Sequence, residues 1–278
     1  MGKRWIIIFL AVLNLTSCKK DINAFFIHES VRTRVLESHL LSPVFNTRFA
    51  DSLSLKFAVF SDIHITEKND HLFNKLKNDI DQQGIDFFIV AGDLTDNGLP
   101  EEYENCRTDF QNLEIPWYVT IGNHDLYQTD GWESWKNYFG PSCFSVGISG
   151  LLRLIFLDTS TGTVGKEQFS WLEKALKNSQ EKYKIVVTHY PLYDDLVPSI
   201  WRLPSAEERY KLLWLLHKYN VYTYIGGHLH TFQHQTLNGL HHFIVGSMYP
   251  HDLDKGEHGY LLFSLTGGNL SWEQVVFP

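Results

Sequence analysis

The chain is poor in cysteine: three in 278 residues, too few for a scaffold held by disulfides. It carries no Gly-X-Y period, no self-similar repeat and no low-complexity tract, which excludes collagen-like fibres and solenoids. No apolar run approaches the roughly 20 residues that a bilayer-spanning helix needs. Positive charge is also scarce. The 24 Lys and Arg residues stand against 32 Asp and Glu, for a formal charge of −8, so no nucleic-acid partner is expected. With 44% hydrophobic and 20% charged residues, the chain is too apolar for disorder and has the balance of a folded globular protein. Its length allows one large domain or two small ones. Burial of about 75% of the unfolded surface is within reach, so the core needs no crosslinks. One residue is abundant: histidine, at 14.

The first residues read as an address. Lys3 and Arg4 precede nine apolar residues, Trp5 to Leu13, the order of a secretory signal. Leu15-Thr16-Ser17-Cys18 follows and resembles the lipobox of bacterial lipoproteins; a plain signal peptide with an incidental cysteine is the alternative. The resemblance implies removal of residues 1–17 and lipidation of Cys18. The protein would then sit in the bacterial cell envelope, held to a membrane by a diacylglyceryl group and an amide-linked acyl chain, more than stable anchoring requires. Residues 18–54 are then a tether and lead-in, with one helix expected around Ser30–Leu41. Losing Lys3 and Arg4 with the leader moves the formal charge from −8 to −10. The other two cysteines, Cys106 and Cys143, fit no CxxC spacing. They are expected as separately buried thiols, or as a pair in an oxidising compartment.

From about residue 55 a rhythm sets in. Lys56–Ser61, Asp86–Ala91 and Trp117–Ile121 are short apolar runs suited to buried strands, with helices expected near His71–Gln82 and Glu101–Leu113. Alternation at about 30 residues per unit is the pattern of βαβ crossovers around a parallel-type sheet. Arg153–Leu157, a helix at Lys166–Asn178, Lys184–Val187, a helix near Ala206–Lys218 and Val221–Ile225 continue it. Leu212, Leu213, Leu215 and Leu216 form a stripe that belongs in the core. Past Ile225 come Phe232–Leu237, His242–Val245 and a closing hairpin from Tyr260 to Phe277 about Gly267-Gly268-Asn269. The reading is one α/β domain over residues 55–278 with an antiparallel tail.

Ligands in open α/β sheets gather beyond the carboxyl ends of the strands, and the residues found there are of one chemical kind. In order they are Asp62-Ile63-His64, Gly92-Asp93-Leu94-Thr95-Asp96, Gly122-Asn123-His124-Asp125, Thr188-His189 and Gly227-His228-Leu229-His230. The i, i+2 spacing in Asp62-x-His64 points both side chains to one side of an extended chain, and His228-x-His230 offers two imidazoles in the same way. A carboxylate such as Asp93 can bridge two ions with its two oxygens. Gly92, Gly122 and Gly227 are expected to permit tight turns where the strands stop. Imidazole, carboxylate and amide donors without thiolate suit Zn, Fe or Mn, and argue against copper–thiolate and iron–sulfur centres.

Five such blocks in this order resemble the calcineurin-like metallophosphoesterases, the superfamily that includes purple acid phosphatases and class III cyclic-nucleotide phosphodiesterases. Its pattern is D-x-H, G-D-x-x-D, G-N-H-D/E, a lone H, then G-H-x-H, and the resemblance covers roughly residues 55–265. It implies that Asp62, His64, Asp93 and His230 hold one metal ion, and that Asp93, Asn123, His189 and His228 hold a second, with Asp93 bridging. His124 then faces the substrate phosphate as acid or charge stabiliser. Asp96 and Asp125 support the ligands or cap turns. The implied fold is a sandwich of two mixed sheets flanked by helices, with the dinuclear site at the strand C-terminal ends. The implied cofactors are two divalent or transition metal ions (Fe, Zn or Mn). The implied activity is phosphoester hydrolysis by a metal-bound hydroxide, with a small phosphodiester as the expected substrate. Phosphomonoester hydrolysis on the same clamp is the alternative, and a non-catalytic envelope binding protein a more distant one.

Nine histidines fall outside the blocks. His28, His39, His71, His217 and His234 need no function, and strand alternation sends one of His241 and His242 inward and the other outward. His251 and His258 lie in the irregular Tyr249–Tyr260 stretch, near enough in sequence to the last block to reach substrate. The loops Leu126–Tyr138 and Tyr190–Pro204 carry Tyr127, Trp132, Trp135, Tyr138, Tyr190, Tyr193 and Trp201. These rings can form a stacking wall for a nucleobase or aryl group, or pack the loops down, the reading preferred for Trp132 and Trp135. Asp194-Asp195 is expected at the mouth, where it would repel polyanions.

Overall fold

The structure, a computed structural model, describes residues 29–41, 54–66, 70–196, 201–249 and 258–277. The leader, Cys18, His28 and His251 lie outside the described residues. In chain order the strands are β1 (Ser54–Phe60), β2 (Phe87–Ala91), β3 (Trp117–Thr120), β4 (Phe144–Ile148), β5 (Leu152–Phe156), β6 (Tyr183–Val187), β7 (Thr223–Gly226), β8 (Gln233–Leu237), β9 (Leu240–Ile244), β10 (Gly259–Thr266) and β11 (Asn269–Val276). The helices are α1 (Val31–Ser38), α2 (Asp70–Gln83), α3 (Pro100–Asn112), α4 (Gly131–Phe139), α5 (Lys166–Asn178) and α6 (Ala206–Lys218).

The strands form two mixed sheets, ordered β11-β10-β1-β2-β3 and β4-β5-β6-β7-β9-β8. In the first, β1, β2 and β3 run parallel and β10 and β11 are antiparallel additions. In the second, β5, β6, β7 and β9 run parallel, with β4 and β8 antiparallel at the edges. Side-chain alternation builds the layers. Phe57 and Val59 of β1 and Phe87 and Ile89 of β2 face Phe156, Ile185, Ile225 and Phe243 of the other sheet. Phe60, Phe88 and Val90 point the other way, onto α2, α3 and α4. The outer face of the second sheet is covered by α5 and α6 through Leu172, Leu176, Leu212, Leu215 and Leu216. Strands covered on both faces have no polar side to show, which is why they read as unbroken apolar runs. Cys106 and Cys143 are free thiols, buried in different clusters.

Two elements differ from the sequence expectation. Residues 131–138, expected within the Leu126–Tyr138 loop, lie in α4. Trp132 and Trp135 lie on its buried face against the cluster that holds Tyr103 and Phe110, so their three-residue spacing is helical core packing. The edge strand β4 went unrecognised, because its Phe-Ser-Val-Gly-Ile run is half polar and is defined only by pairing with β5. Ahead of β1, α1 is capped by the Ser30 hydroxyl, which accepts from Thr33 N. It packs Val31 and Val35 against Cys143 and Trp171. No helix among the described residues is long and apolar enough to cross a membrane.

Candidate metal centre

The ends of β1, β2 and β3 meet those of β6 and β7, and every predicted ligand lies there. Asp62, His64, Asp93, His228 and His230 all take left-handed backbone, with φ between 48° and 74°. Extended i, i+2 geometry therefore does not aim Asp62 and His64. Positive φ turns the chain sharply as the strand stops, and Ile63 N and His64 N both donate to Asp93 O, at 2.9 and 3.1 Å. The same correction applies to His228 and His230, whose rings go to different places. Gly92 takes the expected positive φ, 92°, but the other two glycines act differently from the expectation. Gly122 and Gly227 lack positive φ and are needed for close approach: a Cβ on Gly122 would fall 2.1 Å from Asp93 Oδ1, and one on Gly227 1.8 Å from Ser61 Oγ.

One cluster comprises Asp62, His64 and His230, with ligand atoms within 4.8 Å of one another. His64 Nε2 and His230 Nε2 are 3.2 Å apart, and Asp62 Oδ1 is 3.4 Å from the second. A further cluster comprises Asp93, His189 and His228. His189 Nε2 lies 3.2 Å from Asp93 Oδ2, 3.0 Å from Asn123 Oδ1 and 3.1 Å from His228 Nδ1. Asp93 Oδ2 stands between the two clusters, since it is also 3.8 Å from His64 Nε2.

The donor chemistry fits a pair of cations. Asp62 Oδ2 accepts from Ser61 Oγ at 2.5 Å and His228 N at 2.9 Å, whereas Oδ1 is buried and accepts no hydrogen bond. His189 Nδ1 donates to Ala91 O at 2.9 Å, so the Nε2 of a neutral ring carries a lone pair. That lone pair faces the oxygens of Asp93 and Asn123. Asn123 is held in this orientation because its Nδ2 donates to Tyr127 Oη at 3.2 Å. Lone pairs converging in a buried site repel unless a proton or a metal ion sits among them.

Without metal the protonation pattern answers the same demand. Burial pulls the His189 pKa down, but the charge and hydrogen bond of Asp93, the charge of Asp62 and the Ala91 carbonyl outweigh it and lift it to about 9. His228 falls to about 3, through burial and then repulsion by His189. Burial opposes ionisation of Asp62 and Asp93, yet neighbouring imidazoles, His230 for the first and His189 and His124 for the second, hold both below the usual carboxylate range. Asp125 is pushed up to about 7 by burial and the Asp93 charge. It nonetheless accepts from Leu94 N, Thr95 N, Thr95 Oγ1 and Gly122 N, and so ties the β2 and β3 loops together.

His124 is placed apart from the Asp93–His189–His228 cluster. Its backbone N donates to Asp93 Oδ1 at 2.9 Å, and its Nδ1 donates to Asp96 O at 2.7 Å. Nε2 is thereby left on the side of Asp93 Oδ2, 3.9 Å away. Asp96 Oδ1 lies behind His64, 3.5 Å from Nδ1, a carboxylate position that favours a ring presenting Nε2 forward.

Aromatic rings line the rim: Tyr190 lies 4.2 Å and Trp201 5.9 Å from the His228 ring, Tyr127 4.4 Å from His124, and Tyr249 5.0 Å from His64. Trp132 and Trp135 are buried away from it. Of the pair expected at the mouth, Asp194 is buried and accepts from Leu196 N, whereas Asp195 is exposed and its N donates to Gln233 Oε1 at 3.3 Å. His258 Nδ1 pairs with Ser247 O at 3.1 Å, and His242 is buried in β9. Sequence reasoning missed Ser61, Tyr249 as a neighbour of His64, and Thr159, whose Oγ1 accepts from His189 N at 3.2 Å and Tyr190 N at 3.0 Å. Thr159 follows a strand end in an Asp-Thr-Ser-Thr run, so the strand-end rule applied to β5 finds it.

A model of the calcineurin-like phosphoesterase family matches residues 55–232. Among curated proteins, the chain is similar to a probable glycerophosphodiester phosphodiesterase of Arcobacter nitrofigilis, 30% identical over 151 residues, covering 47% of this chain and 55% of that protein. It is also similar to human (Homo sapiens) tartrate-resistant acid phosphatase type 5, 26% identical over 218 residues, covering 64% of each. The chain thus spans less than two thirds of the length of either relative. Among solved structures, a purple acid phosphatase from yellow lupin (Lupinus luteus) seeds superposes with a TM-score of 0.66 at 17% identity, covering 82% of this chain and 53% of that one. At that identity the likeness concerns the fold alone.

Proposed function

The chain belongs to the calcineurin-like phosphoesterase family, and from that premise and the geometry of its centre we propose that it hydrolyses phosphoesters with two divalent cations, preferring small phosphodiesters. The observation that carries this is the convergence of acceptors: a buried Asp62 Oδ1 without a hydrogen bond, and Asp93 Oδ2 and Asn123 Oδ1 both facing His189 Nε2. Asp62, His64, Asp93 and His230 would hold one cation, and Asp93, Asn123, His189 and His228 the other. When bound, such a pair supplies Lewis-acid charge to the phosphoryl oxygens and makes water a competent nucleophile near neutral pH.

The protein's own groups then have separate tasks. The His124 N–H engages Asp93 Oδ1 and leaves Oδ2 as the oxygen turned toward His64 and His189. Asp96 Oδ1 stands behind His64, 3.5 Å from Nδ1. With Nδ1 committed to Asp96 O, His124 Nε2 is the atom available to carry a proton to the departing oxygen. Among the described residues, every charged partner of Asp62 and Asp93 is a histidine. The positive charge that meets the phosphate would then come from the two cations, and a singly charged diester asks for less of it than a doubly charged monoester. The rim rings offer a surface for its substituents.

The test compares bis(p-nitrophenyl) phosphate with p-nitrophenyl phosphate on purified protein supplied with Mn2+ or Zn2+. Chelator-sensitive cleavage of the diester, faster than of the monoester, is expected. A faster monoester would establish a phosphomonoesterase instead. Absence of both bound metal and hydrolysis after reconstitution would leave a non-catalytic binding protein. The N-terminal sequence extends the proposal to a lipid anchor at Cys18 in the bacterial envelope. Cys18→Ala should move the protein from the membrane to the soluble fraction; full membrane retention and unchanged processing would overturn that part.

A further inference from the structure

Helix α1 lies ahead of the residues matched by the family model, yet it places a fully buried guanidinium in the framework of the centre. Arg34 Nε donates to Asp158 Oδ2 at 2.7 Å. Nη2 donates to Asp158 Oδ1 at 3.0 Å, Ser160 Oγ at 3.0 Å and Thr161 Oγ1 at 3.2 Å, and Nη1 to Glu29 O at 2.6 Å. A buried ion pair is weak evidence for stability, because desolvation offsets the attraction. A two-pronged guanidinium does set the position of a carboxylate in both distance and angle.

That carboxylate belongs to the loop from β5 to α5, and the loop is held at two further points. Gln168 Nε2 donates to Asp158 O at 2.8 Å, and Asp158 N donates to Gln168 Oε1 at 2.7 Å. Glu208 of α6 accepts from Val164 N at 2.9 Å and Gly165 N at 3.0 Å. The residue after Asp158 is Thr159, whose hydroxyl oxygen receives the backbone N–H groups of His189 and Tyr190. The path from α1 to the centre therefore has three steps: guanidinium to Asp158, one peptide unit to Thr159, and one hydroxyl to the backbone of His189. The ring of His189 is where Asp93, Asn123 and His228 converge.

We propose that Arg34 is a positioning residue for the second cation: through Asp158 and Thr159 it holds the His189–Tyr190 backbone at the place where the His189 ring meets its co-ligands. The N-terminal helix is then a working part of the centre. This rests on the two-cation reading above.

The test is calorimetric titration of Mn2+ into the chelator-stripped full chain in detergent, with thermal melts in parallel. The wild type should bind two equivalents. Arg34→Ala should weaken one of them about tenfold or more, as loss of an outer support to a ligand does, and leave the other in place. Thr159→Val should do the same with α1 untouched, and the double variant should be no worse than the poorer single one. Arg34→Lys should fall between, since an ammonium cannot make the two-pronged contact. Should Arg34→Ala fail to fold, Arg34→Lys and Thr159→Val decide the question. A lowered melting temperature with both equivalents at wild-type affinity would make Arg34 structural only and overturn the proposal. A wild type that binds no cation would overturn the two-cation reading itself, and this proposal with it.

Discussion

Asp62, His64, Asp93, His228 and His230 account for five of the nine non-glycine residues with positive φ among those described. Each such residue costs about 1–2 kcal/mol relative to ordinary backbone. Concentrating the cost on these candidate ligand positions aims side chains that extended backbone would send elsewhere. Two predictions belong at this scale. Gly122→Ala would put a methyl carbon 2.1 Å from Asp93 Oδ1 and 2.2 Å from Asp93 N, so the Asp93 carboxylate must move. Metal affinity, measured by titration, should fall by an order of magnitude or more. His124→Ala removes the group aimed by Asp96 O without removing a co-ligand of His189. Turnover should fall about 10²–10⁴-fold, the usual worth of a general acid, while metal content measured by elemental analysis stays at the wild-type level. Near-normal turnover in a metal-loaded variant would remove the role assigned to it.

At the scale of elements, β9 carries a histidine that links the sheet to the loop after His189. His242 is buried, its ring stacks on Tyr224 at 5.4 Å, and its Nε2 accepts from Leu192 N at 3.2 Å. Burial takes its pKa down to about 4. Between the ordinary histidine value of about 6.5 and this one, the unfolded chain binds a proton that the folded chain refuses. Stability from this residue is therefore full above about pH 6.5 and is lost progressively as pH falls toward 4, on the order of 3 kcal/mol in total. Denaturant melts of the wild type and His242→Gln across pH 4–7 should show a shallower acid decline in the variant; equal slopes would locate the acid sensitivity elsewhere. Helix α4 shows how element type can escape a sequence reading. Glycine and aspartate before Trp132 suggest a loop, and only the cluster holding Tyr103 and Phe110 makes the Trp132–Trp135 spacing a buried helical face.

For the whole molecule, the centre joins two sheets whose facing surfaces pack mainly through apolar side chains, with a hydrogen bond from Leu270 N to Tyr183 Oη at 3.2 Å also tying β11 to β6. β1, β2 and β3 supply Asp62, His64, Asp93 and Asn123, while β6 and β7 supply His189, His228 and His230. Cations bound there would crosslink the sandwich. A Mn2+ concentration of about 100 times Kd should add roughly 2.7 kcal/mol per site. For a chain of this size that is a rise of roughly 5–10 °C in melting temperature, reversed by chelator and read by scanning calorimetry. A melting temperature indifferent to Mn2+ and to chelator would mean that no cation joins the sheets.

Much of this was legible locally. Each candidate block closes an apolar strand, and strand ends are where open sheets bind ligands, so Asp62, His64, Asp93, Asn123, His189, His228 and His230 could be picked out as candidate ligands from residue type and position, and the fold brings them together. The sequence by itself determined the α/β rhythm and the chemical character of the centre, because both follow from patterns a few residues long. The tertiary structure alone decided how the candidate ligands group in space. His228 and His230 are two residues apart, yet left-handed backbone sends one ring to His189 and the other to His64 and Asp62. It alone could show that Gly122 and Gly227 are glycines for want of space rather than for a turn. It alone brought Arg34 within one loop of His189, since contacts spanning more than 100 residues depend on packing and leave no local pattern.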